Sequence, residues 1–156
     1  MPVNFLNLAG FNVTDFKETE TEYHVKATPV AISRLCAHCG RSNDTVSHAR
    51  RILVIRDIPA HGKAVVIHLD VPRLKCRPCN QTFTATVPEV DTGREMTERL
   101  AHWVGRQALE YTYADIAKQI GVNEKTVRNI FDEYVASLEK RFKRDTPVWL
   151  VSMKSS

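Results

Sequence analysis

The chain has 156 residues, 43% of them hydrophobic and 26% charged, with a formal net charge of +4 and a pI near 9.0. That composition argues against a disordered chain, and no apolar run approaches membrane-spanning length. The length allows one ordinary domain or two or three small ones, and the basic balance suits a polyanionic partner.

The charge is unevenly placed. Residues 1–33 hold two basic and four acidic side chains, residues 34–90 hold nine and four, and residues 91–144 hold ten and nine. The basic excess therefore sits in the middle of the chain. The N-terminus has no basic region followed by an uninterrupted apolar block. No secretion signal is read, and a cytoplasmic location is the expectation.

Residues 1–33 read as an N-terminal β-hairpin region. Phe11 to Phe16 alternates apolar and polar, Glu18 to Glu22 is an acidic turn-like break, and Tyr23 to Ala27 alternates again. The region reads as structural support.

Residues 34–90 hold all four cysteines, as Cys36-Ala-His-Cys39-Gly40 and Cys76-Arg-Pro-Cys79-Asn80. Four thiolates from two tight turns suit one tetrahedral zinc ion, with Cys36, Cys39, Cys76 and Cys79 as ligands. Gly40 and Asn80 tolerate the left-handed backbone that each turn needs. Between the turns, Arg51–Ile58 and Ala64–Val71 read as strands joined by Pro59-Ala60-His61-Gly62. Turn, hairpin, turn is the layout of a zinc ribbon. A disulfide is disfavoured in a reducing compartment, and a thioredoxin-like site would use one such pair near a βαβ unit. An iron-binding, rubredoxin-like electron carrier would use the same ligands but fits poorly beside a basic surface. A closed four-cysteine site leaves no open position for catalysis. His38, His48, His61 and His68 read as surface or phosphate-contact residues. Arg50, Arg51, Arg56, Arg73, Lys75 and Arg77 flank the strands and the second turn as candidates for tracking phosphates.

Residues 91–144 read as three helices. Thr92-Gly-Arg-Glu95 has the form of a capping box, and Met96, Leu100, Trp103, Val104 and Ala108 follow at helical spacing. Thr112 caps a second helix that offers Ile116, Ala117 and Ile120 to a core. Gly121 then takes a positive φ, Val122 fills the corner and Asn123 caps a third helix. Val127, Ile130 and Phe131 face inward, which leaves Lys125, Thr126, Arg128 and Asn129 on the wet face. Those side chains can bond phosphates or base edges, which is the pattern of a DNA-binding helix-turn-helix. The apolar stripe continues through Tyr134, Val135, Leu138 and Phe142, enough for a neighbouring domain or a second copy in a homodimer. Lys140 to Arg144 complements the helix dipole or meets phosphate. Residues 145–156 read as a tail in which Val148 to Val151 begins like a buried strand.

The expected fold class is therefore α+β, a small β-rich zinc ribbon followed by a three-helix helix-turn-helix domain. The set Cys36-Ala-His-Cys39-Gly40, His48, Arg56-Asp57-Ile-Pro59, Gly62, Pro72-Arg-Leu-Lys-Cys76-Arg-Pro-Cys79 and Phe83 resembles the N-terminal half of transposases of the ISL-three family of insertion sequences. Thr97 to Leu100 and Tyr113-Ala-Asp-Ile116-Ala117 through Gly121-Val and Thr126-Val127 extend the likeness, which runs from about Asn4 to Leu150. The resemblance implies recognition of terminal inverted repeats in double-stranded DNA. It also implies that the RNase H-like catalytic domain would begin near Leu150, so the chain reads as truncated before it, with no catalytic residue. A frameshift at Leu150 is one cause, which the encoding DNA tests. The expected DNA contacts are Asn123, Lys125, Thr126, Arg128 and Asn129 from the third helix and Arg51, Arg73, Lys75 and Arg77 from the ribbon. A stand-alone transcription regulator, a transposition inhibitor and a protein-interaction module are the other readings.

Overall fold

The computed structural model describes residues 10–40, 45–91 and 93–145, with side chains to Phe142. The chain forms two compact units, Met1–Leu100 and Ala101–Ser156. The boundary falls within a helix, ten residues beyond the 90/91 junction read from composition. Among the described residues, no helix is long and apolar enough to cross a membrane.

The first unit is built on one seven-stranded sheet. Its strands are β1 (Phe11–Glu18), β2 (Glu22–Pro29), β3 (Thr45–Ala60), β4 (Lys63–Cys76), β5 (Thr82–Thr84), β6 (Val90–Asp91) and β7 (Met96–Thr97). The order is β1-β2-β4-β3-β7-β6, with β5 also on β4. The alternation in residues 11–27 does produce a hairpin, β1–β2. Its second strand then pairs parallel with β4, from Glu22 opposite Ala64 to Ala27 opposite Leu69. The N-terminal region is thus hydrogen-bonded into the ribbon's own sheet. Both central strands run longer than their apolar text. The β3–β4 turn narrows to His61 and Gly62, at φ 53° and 77°, a pair of left-handed residues that matches the twist of a two-residue hairpin.

Side chains alternate across a strand, so β4 shows where the core lies. Val65, Ile67, Leu69 and Val71 are buried on one face with Val25, Ala27 and Ile55. Past Pro72 the buried residues are Leu74 and Cys76, on the opposite face, packed with Phe83, Ala85 and Cys36. One strand therefore serves two cores on opposite faces. Beyond Val71 the odd-numbered face of β4 carries the half-buried Arg73 and Lys75.

The first helix, α1 (Glu98–Gln107), starts later than its text suggested. Thr92 of the expected capping box lies outside the described residues, and Gly93–Glu95 form a turn. Met96 and Thr97 belong to β7, and the Arg56 amide donates to the Glu95 carbonyl at 3.0 Å. Strand pairing wins these residues from the helix because it satisfies backbone groups that a helix end leaves open. Thr97 is the capping residue instead, its hydroxyl oxygen accepting from the Leu100 amide at 3.2 Å.

In the second unit, α2 (Tyr113–Ile120) is capped by Thr112, which accepts from the Asp115 amide. It ends at Gly121, at φ 78°, whose amide donates to the Ala117 carbonyl. The third helix, α3 (Glu124–Asp145), is capped by Asn123 Oδ1, which accepts from the Thr126 amide at 2.8 Å. Val104, Ile116, Ala117, Ile120, Val127 and Ile130 are buried. Gly105 is buried against Tyr134, and a Cβ there would overlap the ring. Gly105→Ala is expected to cost about 1–3 kcal/mol through overpacking, although alanine is the better helix former. Thermal unfolding followed by circular dichroism checks it; an unchanged midpoint would show that the ring moves freely aside.

Candidate metal centre and nucleic-acid interface

Two tight turns bring the cysteines together. The Gly40 amide donates to the Cys36 carbonyl at 3.0 Å and the Asn80 amide to the Cys76 carbonyl at 2.8 Å. Gly40 and Asn80 hold φ of 76° and 58°, the left-handed backbone expected of them. The four Sγ atoms lie within 4.8 Å of one another, with Cys36–Cys79 at 3.5 Å and Cys39–Cys76 at 3.4 Å. Four thiolates on a zinc ion at about 2.3 Å sit about 3.8 Å apart along the edges of the tetrahedron, so the cluster fits the ion closely. Cys36 and Cys76 are buried and all four thiols are free. Burial works against ionisation of Cys36, but the amides of Cys39 and His38 and the neighbouring thiols outweigh it and lower its pKa to about 6. The Cys79 amide favours the Cys76 thiolate, yet burial and competition from the other thiols push it up to about 12. A dication replaces that competition for protons with four shared bonds. Cys36, Cys39, Cys76 and Cys79 suit one structural zinc ion, a closed set with no histidine in it.

The histidines go elsewhere. His38 is exposed in the first turn, and His48 is exposed on β3. His61 Nδ1 lies 3.2 Å from the Tyr23 hydroxyl. His68 is half-buried against His24, and burial, then His24 and Lys26, hold its pKa below the ordinary value. Its Nε2 lies 3.1 Å from His24 Nδ1, so this ring is engaged with a second histidine.

The ribbon cations are sorted by strand register. Arg51 lies opposite Val71, Ala49 opposite Arg73, and Val46 opposite Lys75. On its other side β4 sets Arg73 against Thr84 and Lys75 against Thr82. Arg51, Arg73 and Lys75 therefore share one face of the sheet, Arg51 exposed and the other two half-buried, with uncharged neighbours across the strands. Arg73 donates to the Thr82 hydroxyl at 3.1 Å, which aims its guanidinium along β5. Arg77 is exposed in the second cysteine turn. Arg50 is on the other face and bonds Asp70 at 2.9 Å, and Arg56 lies 3.7 Å from Glu22.

On α3, Lys125, Arg128 and Asn129 are exposed. Asn123 and Thr126 are engaged with each other, the Thr126 hydroxyl donating to Asn123 Oδ1 at 2.9 Å. Their first task is capping. The Arg128 guanidinium rests over the Tyr113 ring at 5.9 Å, and Tyr113 leans on Phe131 at 5.9 Å. Tyr113 was not among the expected contacts, and nothing short of the α2–α3 corner geometry places it beside Arg128. Asp132 and Glu133 follow on exposed positions and end the cationic run after two turns. Lys140 and Arg141 are exposed; the side chains of Lys143 and Arg144 lie outside the described residues, as does the strand-like text at Val148–Val151.

Two family models match the chain. Residues 33–79 match the zinc-finger of transposase IS204/IS1001/IS1096/IS1165, and residues 85–135 match the helix-turn-helix domain of transposase family ISL3. No curated protein and no solved structure matches it.

Proposed function

We propose, on the premise that the chain carries the zinc-ribbon and helix-turn-helix modules of ISL3-family transposases, that it recognises the terminal inverted repeats of an insertion element in double-stranded DNA. The observation that supports this best is the pairing of the two modules, each with a cationic face. In the ribbon, residues 34–90, Arg51, Arg73 and Lys75 share a sheet face and Arg77 stands at its end. In this reading they hold phosphates. In residues 91–144, α1 supports α2 and α3 as a three-helix helix-turn-helix domain, and the start of α3 enters the major groove. Arg128 bonds a guanine and Asn129 an adenine, while Lys125, Asn123 and Thr126 meet the backbone at the helix N-terminus. The chain performs recognition and not strand cleavage. The second half of α3, where Leu138 and Phe142 are exposed, is the surface through which two copies pair.

Base and phosphate contacts separate in experiment. Arg128→Ala is expected to cost about 1–3 kcal/mol on the selected site and little on random DNA. Lys75→Ala is expected to weaken both alike and to reduce the slope of log affinity against log salt by about one. Binding selection followed by anisotropy titrations measures both. No preferred sequence for the parent chain would sink the recognition reading, and equal losses on both DNAs would remove Arg128 from the base readers.

A further inference from the structure

The outer face of the sheet carries two histidines that the DNA reading does not use. The parallel register sets His24 of β2 opposite Val66, and Lys26 opposite His68 of β4, so the two histidines lie diagonally on one face. Their rings stack with centroids 5.4 Å apart and planes 28° from parallel, and His24 Nδ1 lies 3.1 Å from His68 Nε2. The other ring nitrogen of His24, Nε2, lies 3.7 Å from Glu22 Oε1, and Glu22 Oε2 lies 3.7 Å from Arg56 Nη1. That carboxylate favours the tautomer with Nε2–H toward Glu22, which leaves the Nδ1 lone pair aimed at His68.

We propose that His24 and His68 form a second metal site, for a divalent transition ion of the nickel, copper or zinc kind, with His24 Nδ1 and His68 Nε2 as its protein ligands and water completing the shell. Imidazole nitrogens suit these ions. Two of them at about 2.1 Å from one metal at a right angle stand about 3 Å apart, which is the spacing found. His68 becomes a ligand by carrying its ring proton on Nδ1 in place of Nε2, so no net proton has to leave. Both ligands stand on paired strands, which hold the spacing more firmly than loops would. Glu22 acts as the outer carboxylate that orients a metal-bound histidine. The pair lines a surface hollow, shared with Thr14, Asp15 and Asp70, that has room for coordinating water. Asp15, Asp70 and Glu22 offset all but one of the nearby cations Lys17, Lys26, Arg50 and Arg56, with Arg50 bonded to Asp70. Two protein ligands make the site weaker than the four-thiolate centre.

The test is a calorimetric titration of the zinc-loaded chain with nickel, with zinc measured before and after. One nickel ion per chain is expected, with the zinc content unchanged. His24→Ala and His68→Ala are each expected to weaken uptake by at least about tenfold, and Glu22→Gln by about tenfold. If an alanine variant does not fold, broadening of backbone amide signals by nickel in the parent decides, and it is expected to centre on His24 and His68. No uptake by the parent, uptake only at the expense of zinc, broadening centred elsewhere, or uptake unchanged in both histidine variants would overturn the site.

Discussion

Chelating the zinc, or replacing Cys76 with serine, is expected to melt the cysteine end of the first unit and leave its other end folded. Binding of structural zinc is worth about 10–16 kcal/mol in small fingers that fold only with metal, so its loss is not a small perturbation. Its reach is set by the packing. Leu74, Phe83 and Ala85 are buried together with Cys36 and Cys76, and among the described residues only the partly buried Ile32 packs against this cluster and the other core alike. Ile67, Leu69 and Val71 are buried on the opposite face of the same strand against β2 and β3. Amide exchange on the metal-free chain should therefore show Leu74, Cys76 and Phe83 losing protection while Ile67 and Leu69 keep most of theirs. The helical signal of α2 and α3 should persist. Uniform loss along β4 would show that the two cores are one cooperative unit, and unchanged protection at Phe83 would remove zinc from the structural role.

Asp57→Ala is the second large effect. The Asp57 carboxylate is 1% exposed and sits where β3 meets the start of α1. Thr97 donates its hydroxyl to Oδ1 at 2.7 Å, Arg99 Nε donates to the same oxygen at 2.8 Å, and Arg99 Nη2 donates to Oδ2. The hydroxyl that caps α1 is thus held by the carboxylate that pairs with Arg99. Burial opposes the Arg99 charge less than the Asp57 hydrogen bond favours it, and its pKa is raised. Removing one partner of a buried pair costs about 3–5 kcal/mol; Arg99 is 38% exposed and regains water, so a loss near 3 kcal/mol is expected. The exposed pair Arg50–Asp70, at 58% and 37%, is the control, and Asp70→Ala should cost less than about 1 kcal/mol. Urea unfolding of the zinc-loaded variants compares them. Similar losses for the two would mean that the Asp57 cluster carries no special weight.

Much of the site was legible because its chemistry is local. A cysteine pair with two residues between, a glycine or asparagine just after it, and an asparagine or threonine before a helical run each act within one turn of backbone. Cys36, Gly40, Thr112, Gly121 and Asn123 could therefore be placed from their neighbours alone. The start of α1 was misplaced for the same reason. Thr92-Gly-Arg-Glu95 has a good local form, but Met96 and Thr97 have a stronger claim on them from β3 and β6, strands that lie more than thirty and about six residues earlier. Alternation likewise identified β1 and β2 as strands but said nothing of a parallel partner, because a period of two is the same whatever strand lies beside it.

The residue text by itself determined the two cysteine turns, the caps of α2 and α3, the corner at Gly121 and the polar face of α3, all set by interactions between residues a few positions apart. Only the tertiary structure decided which cations share a face, since Arg51, Arg73 and Lys75 meet through strand register while Arg50 is turned away to Asp70. It also decided that His24 stands 3.1 Å from His68, that Asp57 holds the cap of α1, and that Gly105 must be small beneath Tyr134. These pairs lie 44, 40 and 29 positions apart. At such separations the chain carries no local signal, and only the closing of the sheet and the packing of the helices supply one.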